Sequence, residues 1–269
     1  VGMSADNKKQ IDSSLLFEFA RYFELSLAQT EDERAAVYEV RYRVYCEEFG
    51  YEPKEAFLDG RERDEFDAQS LHCLVTHRES GRPAGCVRLV LPAADGRIPM
   101  EEHCGGSLDQ EFMAKFRDQR ELMCEISRLA VDGAFRRRRG EKATRFGAQD
   151  DFNFADKERR TFPLIAISLF LASAAAADLY GRPHCFAIME PFLPLMLRRT
   201  GVLFNRIGED FEFRGTRAPY YANMNDLIRE APEELGLALA VVRKDFARIL
   251  GGDSAKAREM QWRMTRLAA

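Results

Sequence analysis

Glu125 and Arg128 are the residues of this chain whose setting most needs a chemical explanation. They interrupt Cys124-Glu125-Ile126-Ser127-Arg128-Leu129-Ala130-Val131, an otherwise apolar, strand-like run. Burying an unpaired charge is expensive, so a strand that only builds a core has no use for either residue. Directly downstream comes Ala134-Phe135-Arg136-Arg137-Arg138-Arg139-Gly140, a basic turn closed by glycine. Backbone N–H groups and arginines in such a turn can grip a phosphate. An acid able to take a proton, beside a turn able to hold a phosphate-bearing arm, points to acyl transfer. Glu125 is then the expected general base. Backbone N–H groups near Leu129 and Val131 would polarise the acyl carbonyl. On a regular strand residues three apart face opposite sides, so Glu125 and Arg128 are expected to need different partners. The plainer readings are a structural Glu125–Arg128 ion pair and, for the arginine run with Lys142 and Arg145, a solvated surface.

Competing chemistry is poorly supported. Cys124 could act as a covalent nucleophile, but no histidine lies near it in sequence, and a small buried cysteine is the simpler reading. The six cysteines form no C-x-x-C pair, and four of them sit in apolar runs, as reduced core thiols of a cytoplasmic protein would. His72, His77, His103 and His184 show no ligand spacing, and Asp64 with Asp67 lacks a third ligand, so no metal is expected.

The elements that must position these residues follow from the periodicity. At 269 residues, 46% hydrophobic and 31% charged, the chain can bury a full core. Its net charge of −4 gives no reason to expect a nucleic-acid partner. A helix is expected over 11–22 and a strand over 23–28. Thr30 and Glu33 open a second helix with a capping box, running to about Glu48. An acidic loop (52–69) leads to a hairpin of strands 70–77 and 84–91, and 92–119 is an irregular connection with a short helix. After the Glu125 strand and a charged segment (141–160), the Ala-rich run 162–177 is too short for the ~20 residues of a membrane span and reads as a buried helix. A strand at 184–189, a helix at 191–200 closed by Gly201, strands at 202–207 and 210–222, and helices at 224–249 and 254–268 complete the chain. Mixed strands and helices imply an α/β (α+β) fold, a central mixed sheet flanked by helices. One domain is expected over 1–223, with 1–10 disordered or tag-derived, and 224–269 as a helical C-terminal extension of it.

The order hairpin, acidic strand, basic turn, long helix, strand, helix and Gly-x-x-Phe resembles the GNAT acyltransferase fold. Within it the chain is similar to the acyl-homoserine-lactone synthases and, more closely, to the N-acyl amino acid synthases associated with PEP-CTERM/exosortase systems. The resemblance covers roughly residues 35–228. It rests on Val40-Arg41-Tyr42-Arg43-Val44-Tyr45-Cys46, Asp64-Glu65-Phe66-Asp67, Gly85-Cys86-Val87-Arg88-Leu89, Glu125-Ile126-Ser127-Arg128 and Met189-Glu190-Pro191. The charged set that recurs in the lactone synthases falls on Arg41, Asp64, Asp67, Arg88, Glu125 and Arg128. Tyr45 and Tyr51 stand where those enzymes usually carry Phe and Trp. The Met-Glu-Pro segment and the tail after Phe204 look like the amino acid synthases.

The resemblance implies transfer of a long-chain fatty acyl group from the phosphopantetheine thioester of acyl carrier protein to the α-amine of an amino acid. Glu125 and Arg128 would be catalytic, Leu129, Val131, Arg136, Arg137, Arg138, Arg139 and Gly140 would hold the donor, and Arg41, Tyr45, Asp64, Asp67 and Arg88 would form the acceptor-side cluster. The four charged members of that cluster could equally serve to organise the 52–69 loop. No tightly bound cofactor is expected; the acyl-phosphopantetheine is a co-substrate, and any membrane contact would be peripheral, through the lipid product. Leu197 occupies the position where GNAT enzymes often place a Tyr acid. The alternatives are a lactone synthase using S-adenosylmethionine and a non-catalytic domain that binds acyl carrier protein.

Overall fold

The computed structural model describes residues 13–93, 95–136, 158, 160–198 and 200–251. Residues 1–10, expected to be disordered or tag-derived, most of the basic turn (Arg137, Arg138, Arg139, Gly140, Lys142 and Arg145) and the expected 254–268 helix lie outside them.

Helix α1 (Ser13–Tyr22) runs directly into strand β1 (Phe23–Leu27). Helix α2 (Glu31–Arg41) opens on the expected capping box, in which the Thr30 hydroxyl accepts from the Glu33 N–H and the Glu33 carboxylate from the Thr30 N–H. It does not continue as one α-helix to Glu48. From Tyr42 to Glu48 the chain widens into a π-helical turn, a local irregularity that often marks a functional site. Strands β2 (Ser70–His77) and β3 (Pro83–Val90) form the expected hairpin. The 92–119 connection holds two short helices, α3 (Pro99–His103) and α4 (Gln110–Ala114), rather than one. Strand β4 (Met123–Val131) carries Glu125, and α5 (Pro163–Leu179) is the Ala-rich helix, buried along most of its length. Strand β5 (His184–Met189) and helix α6 (Leu193–Arg198) follow, and Gly201 closes that helix at φ 91.

The C-terminal third departs from expectation. Instead of strands at 202–207 and 210–222 there are two two-residue strands, β6 (Asn205–Arg206) and β7 (Phe211–Glu212), and then β8 (Thr216–Asn223). Arg214 and Gly215 both take positive φ, which turns the chain and splits the second expected strand into a hairpin. The 224–249 helix breaks at Ala231-Pro232 into α7 (Met224–Glu230) and α8 (Glu233–Ile249), because proline disfavours helix in the residue before it.

The sheet runs β1-β2-β3-β4-β5-β8-β6, with β7 also pairing β8. Every neighbouring pair is antiparallel except β4–β5. α2 packs on one face, where the Cys86 thiol lies 3.8 Å from the Val37 carbonyl. α5 packs on the other, close enough that a Cβ at Gly85 would lie about 3 Å from Ile165 and the Ala130 carbonyl. α8 covers α5 and buries Leu235, Leu239 and Phe246 in the main core, so the C-terminal helices are integral to it. No helix among the described residues is long and apolar enough to cross a membrane.

Candidate active site

Two irregularities in β4 create the site. The first is a bulge. Cys86 pairs with Ala130 and Arg88 with Ser127, so Val87 alone faces both Arg128 and Leu129. Arg128 absorbs the extra residue at φ 51, a left-handed conformation costing a non-glycine residue roughly 1–2 kcal/mol. The second is a splay. β4 and β5 pair only at 123–126 with 184–187, and β4 continues without a β5 partner. The gap opens into a cavity of about 520 Å³.

The bulge overturns the expectation that Glu125 and Arg128 face opposite sides. The extra residue shifts the alternation by one, and both now line the same cavity, with Leu129, Val131 and Arg136 further along. Their partners do differ. Glu125 accepts a hydrogen bond from the Met100 N–H at 2.6 Å, whereas Arg128 meets Asp64 at 3.0 Å and Glu62 at 3.2 Å. Tyr45, on the π-helical turn, donates its hydroxyl to the Leu129 carbonyl at 2.9 Å and lies under the Arg128 guanidinium. A phenylalanine there could not hold the bulge in this way.

Behind the cavity the Asp-x-x-Asp spacing has a local cause. Asp64 caps the short 3₁₀ turn Glu65–Gln69, and Asp67 reaches back to the Asp64 N–H at 2.7 Å, a reciprocal capping box. Their remaining oxygens receive arginines. Arg41 contacts Asp67 at 2.6 Å and Glu62 at 2.5 Å, and Arg88 contacts Asp64, Asp67 at 2.8 Å and the Ser127 hydroxyl at 3.0 Å. Arg41 is fully buried and does not line the cavity, so among the proposed acceptor-side residues only Tyr45 and Arg88 do. The geometry supports the organising role for Arg41, Asp64 and Asp67.

Glu125 is 2% exposed, and burial pushes its pKa up to about 8, against the opposing pull of the Met100 N–H, Arg88 and Arg128. Asp67 moves the other way, to about 2, because Arg41 and Arg88 outweigh the effect of its own burial. Burial raises the Tyr45 phenol and keeps it protonated. Burial and paired arginines thus move two carboxylates of this region in opposite directions.

Arg136 bonds the Val131 carbonyl at 2.7 Å, pairs with Glu48 and lines the cavity. Cys124 is buried, with its thiol toward the Arg182 carbonyl, and does not line the cavity. His77, Glu79 and Glu158 bring ligand atoms within 4.8 Å of one another, a grouping that spacing concealed, but none of the three lines the cavity. Sequence reasoning missed Glu52, Glu62, Arg214 and Arg217. Glu52 and Glu62 were visible only as part of an acidic loop, and the two arginines only as part of a mistaken strand.

The αL conformation at position 128 can be tested separately from its ion pairs. Arg128→Gly and Arg128→Ala lose the same charge contacts, but glycine accepts positive φ freely. The glycine variant is expected to be about 1 kcal/mol more stable than the alanine variant in urea denaturation. Equal stability would mean the bulge relaxes when the side chain goes.

Residues 40–145 match the model of the acetyltransferase (GNAT) domain family. Among solved structures, the fold is similar to TofI, solved with an inhibitor and MTA (TM-score 0.53, 19% identity, 81% of this chain and 96% of that one). It is similar to FeeM, an N-acyl amino acid synthase from uncultured soil microbes (0.53, 14%, 78% and 94%). It is also similar to BjaI, a CoA-dependent acyl-homoserine lactone synthase (0.52, 16%, 82% and 89%). No curated protein matches the chain by sequence. The chain has the GNAT acyltransferase fold.

Proposed function

We propose that the protein is an N-acyltransferase that moves a fatty acyl group from a phosphopantetheine thioester to the α-amine of an amino acid. The observation that carries this reading is a buried Glu125, with its pKa near 8, at the splay beside the bulged strand. An α-ammonium has a reference pKa near ~8 and a free Glu near ~4.3, a mismatch of roughly 5 kcal/mol against proton transfer. In this site the mismatch nearly vanishes. Glu125 takes the ammonium proton directly or through a water, and the freed amine attacks the thioester carbonyl. The C–N bond forms, the C–S bond breaks, and the departing thiolate takes up a proton. Leu197 is buried and apolar, so no side chain is assigned as that acid. A thiolate leaves well enough to need none.

The donor arm would enter along the unpaired edge of β4 toward Arg136, its acyl chain against the apolar wall of Phe170, Met189 and Phe192. The donor is taken to be acyl carrier protein, and the Arg136–Arg139 run suits an acidic partner of that kind.

Incubation with acyl-carrier-protein and coenzyme A thioesters, each with pooled amino acids, is expected to yield N-acyl amino acids by mass spectrometry without S-adenosylmethionine. Release of methylthioadenosine from added S-adenosylmethionine would assign the lactone synthase reaction instead. Donor binding with no product would leave a carrier-protein-binding domain.

A further inference from the structure

Only two non-glycine residues among those described adopt positive φ, and they converge on one carboxylate. Arg128, at φ 51, sits in the bulge of β4, and Arg214, at φ 57, sits at the tip of the β7–β8 hairpin. Both line the cavity, and both guanidinium groups reach Glu52. Backbone strain of this kind persists where the surrounding structure fixes it and clusters at ligand sites. At Arg214 the turn at the hairpin tip brings a second cation to the cavity.

The arginines of the site differ in what they have left to offer. Arg41 gives Nε and Nη1 to Glu62 and Asp67 and keeps Nη2 buried away from the cavity, and Arg88 gives Nε to Ser127 and Nη1 to Asp64 and Asp67. Arg128 is committed to Glu62 and Asp64 as well as Glu52. Arg214 donates only Nη2, to Glu52; its Nε and Nη1 have no hydrogen-bond partner among the described residues. The guanidinium edges that fit a carboxylate are Nε–Nη2 and Nη1–Nη2, and Nη2 carries two N–H groups, so giving one of them to Glu52 leaves one such edge with both of its donors. Glu52 braces the group from one side and leaves this part of it toward the cavity. Arg217, the nearest further cation on the hairpin, is held by Glu190 at 2.9 Å and packs over Tyr51.

We propose that Arg214 binds the α-carboxylate of the acceptor amino acid, holding its amine toward Glu125. The inference rests on the acyltransferase reading and adds the acceptor's anionic group to it. It places that group at a hairpin tip rather than on Arg41 or Arg88 of the charged network. The wall beside it is aromatic, with Phe213 stacked on His103 at 4.7 Å, so phenylalanine and phenylalanine amide serve as probes.

Arg214→Gly removes the side chain at a backbone conformation that glycine favours, so loss of fold is not the expected outcome. KM for phenylalanine should rise about 10–100-fold, while KM for the amide and for the acyl donor stay within twofold of wild type. Arg214→Lys should recover part of the loss, since it restores the charge without the fork. An equal rise for acid and amide, or a rise confined to the donor, would overturn the assignment; the second result would make Arg214 a phosphate ligand. Calorimetry without donor decides the point even if the wild type acylates nothing, an outcome that would sink the acyltransferase reading separately. Phenylalanine should bind wild type more tightly than its amide and lose that advantage in Arg214→Gly. Equal binding of the two probes to wild type, or no binding of either, counts against the proposal.

Discussion

Glu125→Gln is expected to lower kcat by roughly 10²–10⁴-fold while making the protein more stable near neutral pH. Both effects come from one raised pKa. The carboxyl titrates near 4.5 in the unfolded chain and about 8 in the folded one. A group whose folded pKa is raised stabilises fully below its unfolded value, and that contribution is lost as pH rises through the folded value. The wild type therefore gives up stability steadily between about pH 4.5 and 8. Glutamine has no proton to lose and still accepts from the Met100 N–H. At pH 7 the difference reaches about 3 kcal/mol, at ~1.36 kcal/mol per unit. Urea denaturation of both proteins at pH 5, 7 and 8 should show a gap that widens with pH. The wild-type kcat, at saturating acceptor, should climb toward pH 8 rather than level off above pH 5. A glutamine variant that keeps wild-type turnover would remove Glu125 from the mechanism. Cys124 is poorly placed to take over, because it is buried outside the cavity with its thiol toward the Arg182 carbonyl.

The second large effect concerns stability. Arg41→Met should destabilise by about 3–5 kcal/mol, because it leaves the buried Glu62 and Asp67 without their shared counter-ion. Combining it with Glu62→Gln and Asp67→Asn should recover much of that loss, since the unpaired charges then go as well. Asp67 also sets the acid limit. Its pKa is depressed to about 2, so its contribution is present above its ordinary value of 3.8 and lost as pH falls toward 2. Chemical denaturation of the single and triple variants measures the pattern. A cost below about 1 kcal/mol for Arg41→Met would show that the network is dispensable to the fold.

Much of this architecture was legible in the sequence, for reasons that differ by element. β5 lies where its apolar run and the preceding Gly181-Arg182-Pro183 place it. The α2 start follows from Thr30 and Glu33 alone. The charged set was found through the family resemblance, although the cause of the Asp64–Asp67 interval, a capping box, needed the structure. What could not be read were features that depend on a partner strand. The bulge exists because β3 supplies one residue where β4 supplies two, and the splay exists because β5 leaves β4 after Ile126. Neither has a signature in β4 itself. The Arg214-Gly215 turn was different. Its glycine was a visible break signal within the strand expected at 210–222, and the apolar residues around it masked it.

The parallel seam between β4 and β5 also bears on how the chain comes together. β1 to β4 form one antiparallel set, and β5 with β6, β7 and β8 another; as strands the two sets pair only at 123–126, and α5, the Leu108–Gly208 bridge and the Arg214–Glu52 ion pair tie them further. Loop closure must be met before distant contacts reward it, so pairings within each half precede the seam. Glu125, Arg128 and Tyr45 belong to the first half, and Met189, Arg214 and Arg217 to the second. The pocket therefore exists only where the two sets meet, and any state of the chain in which they are apart lacks it.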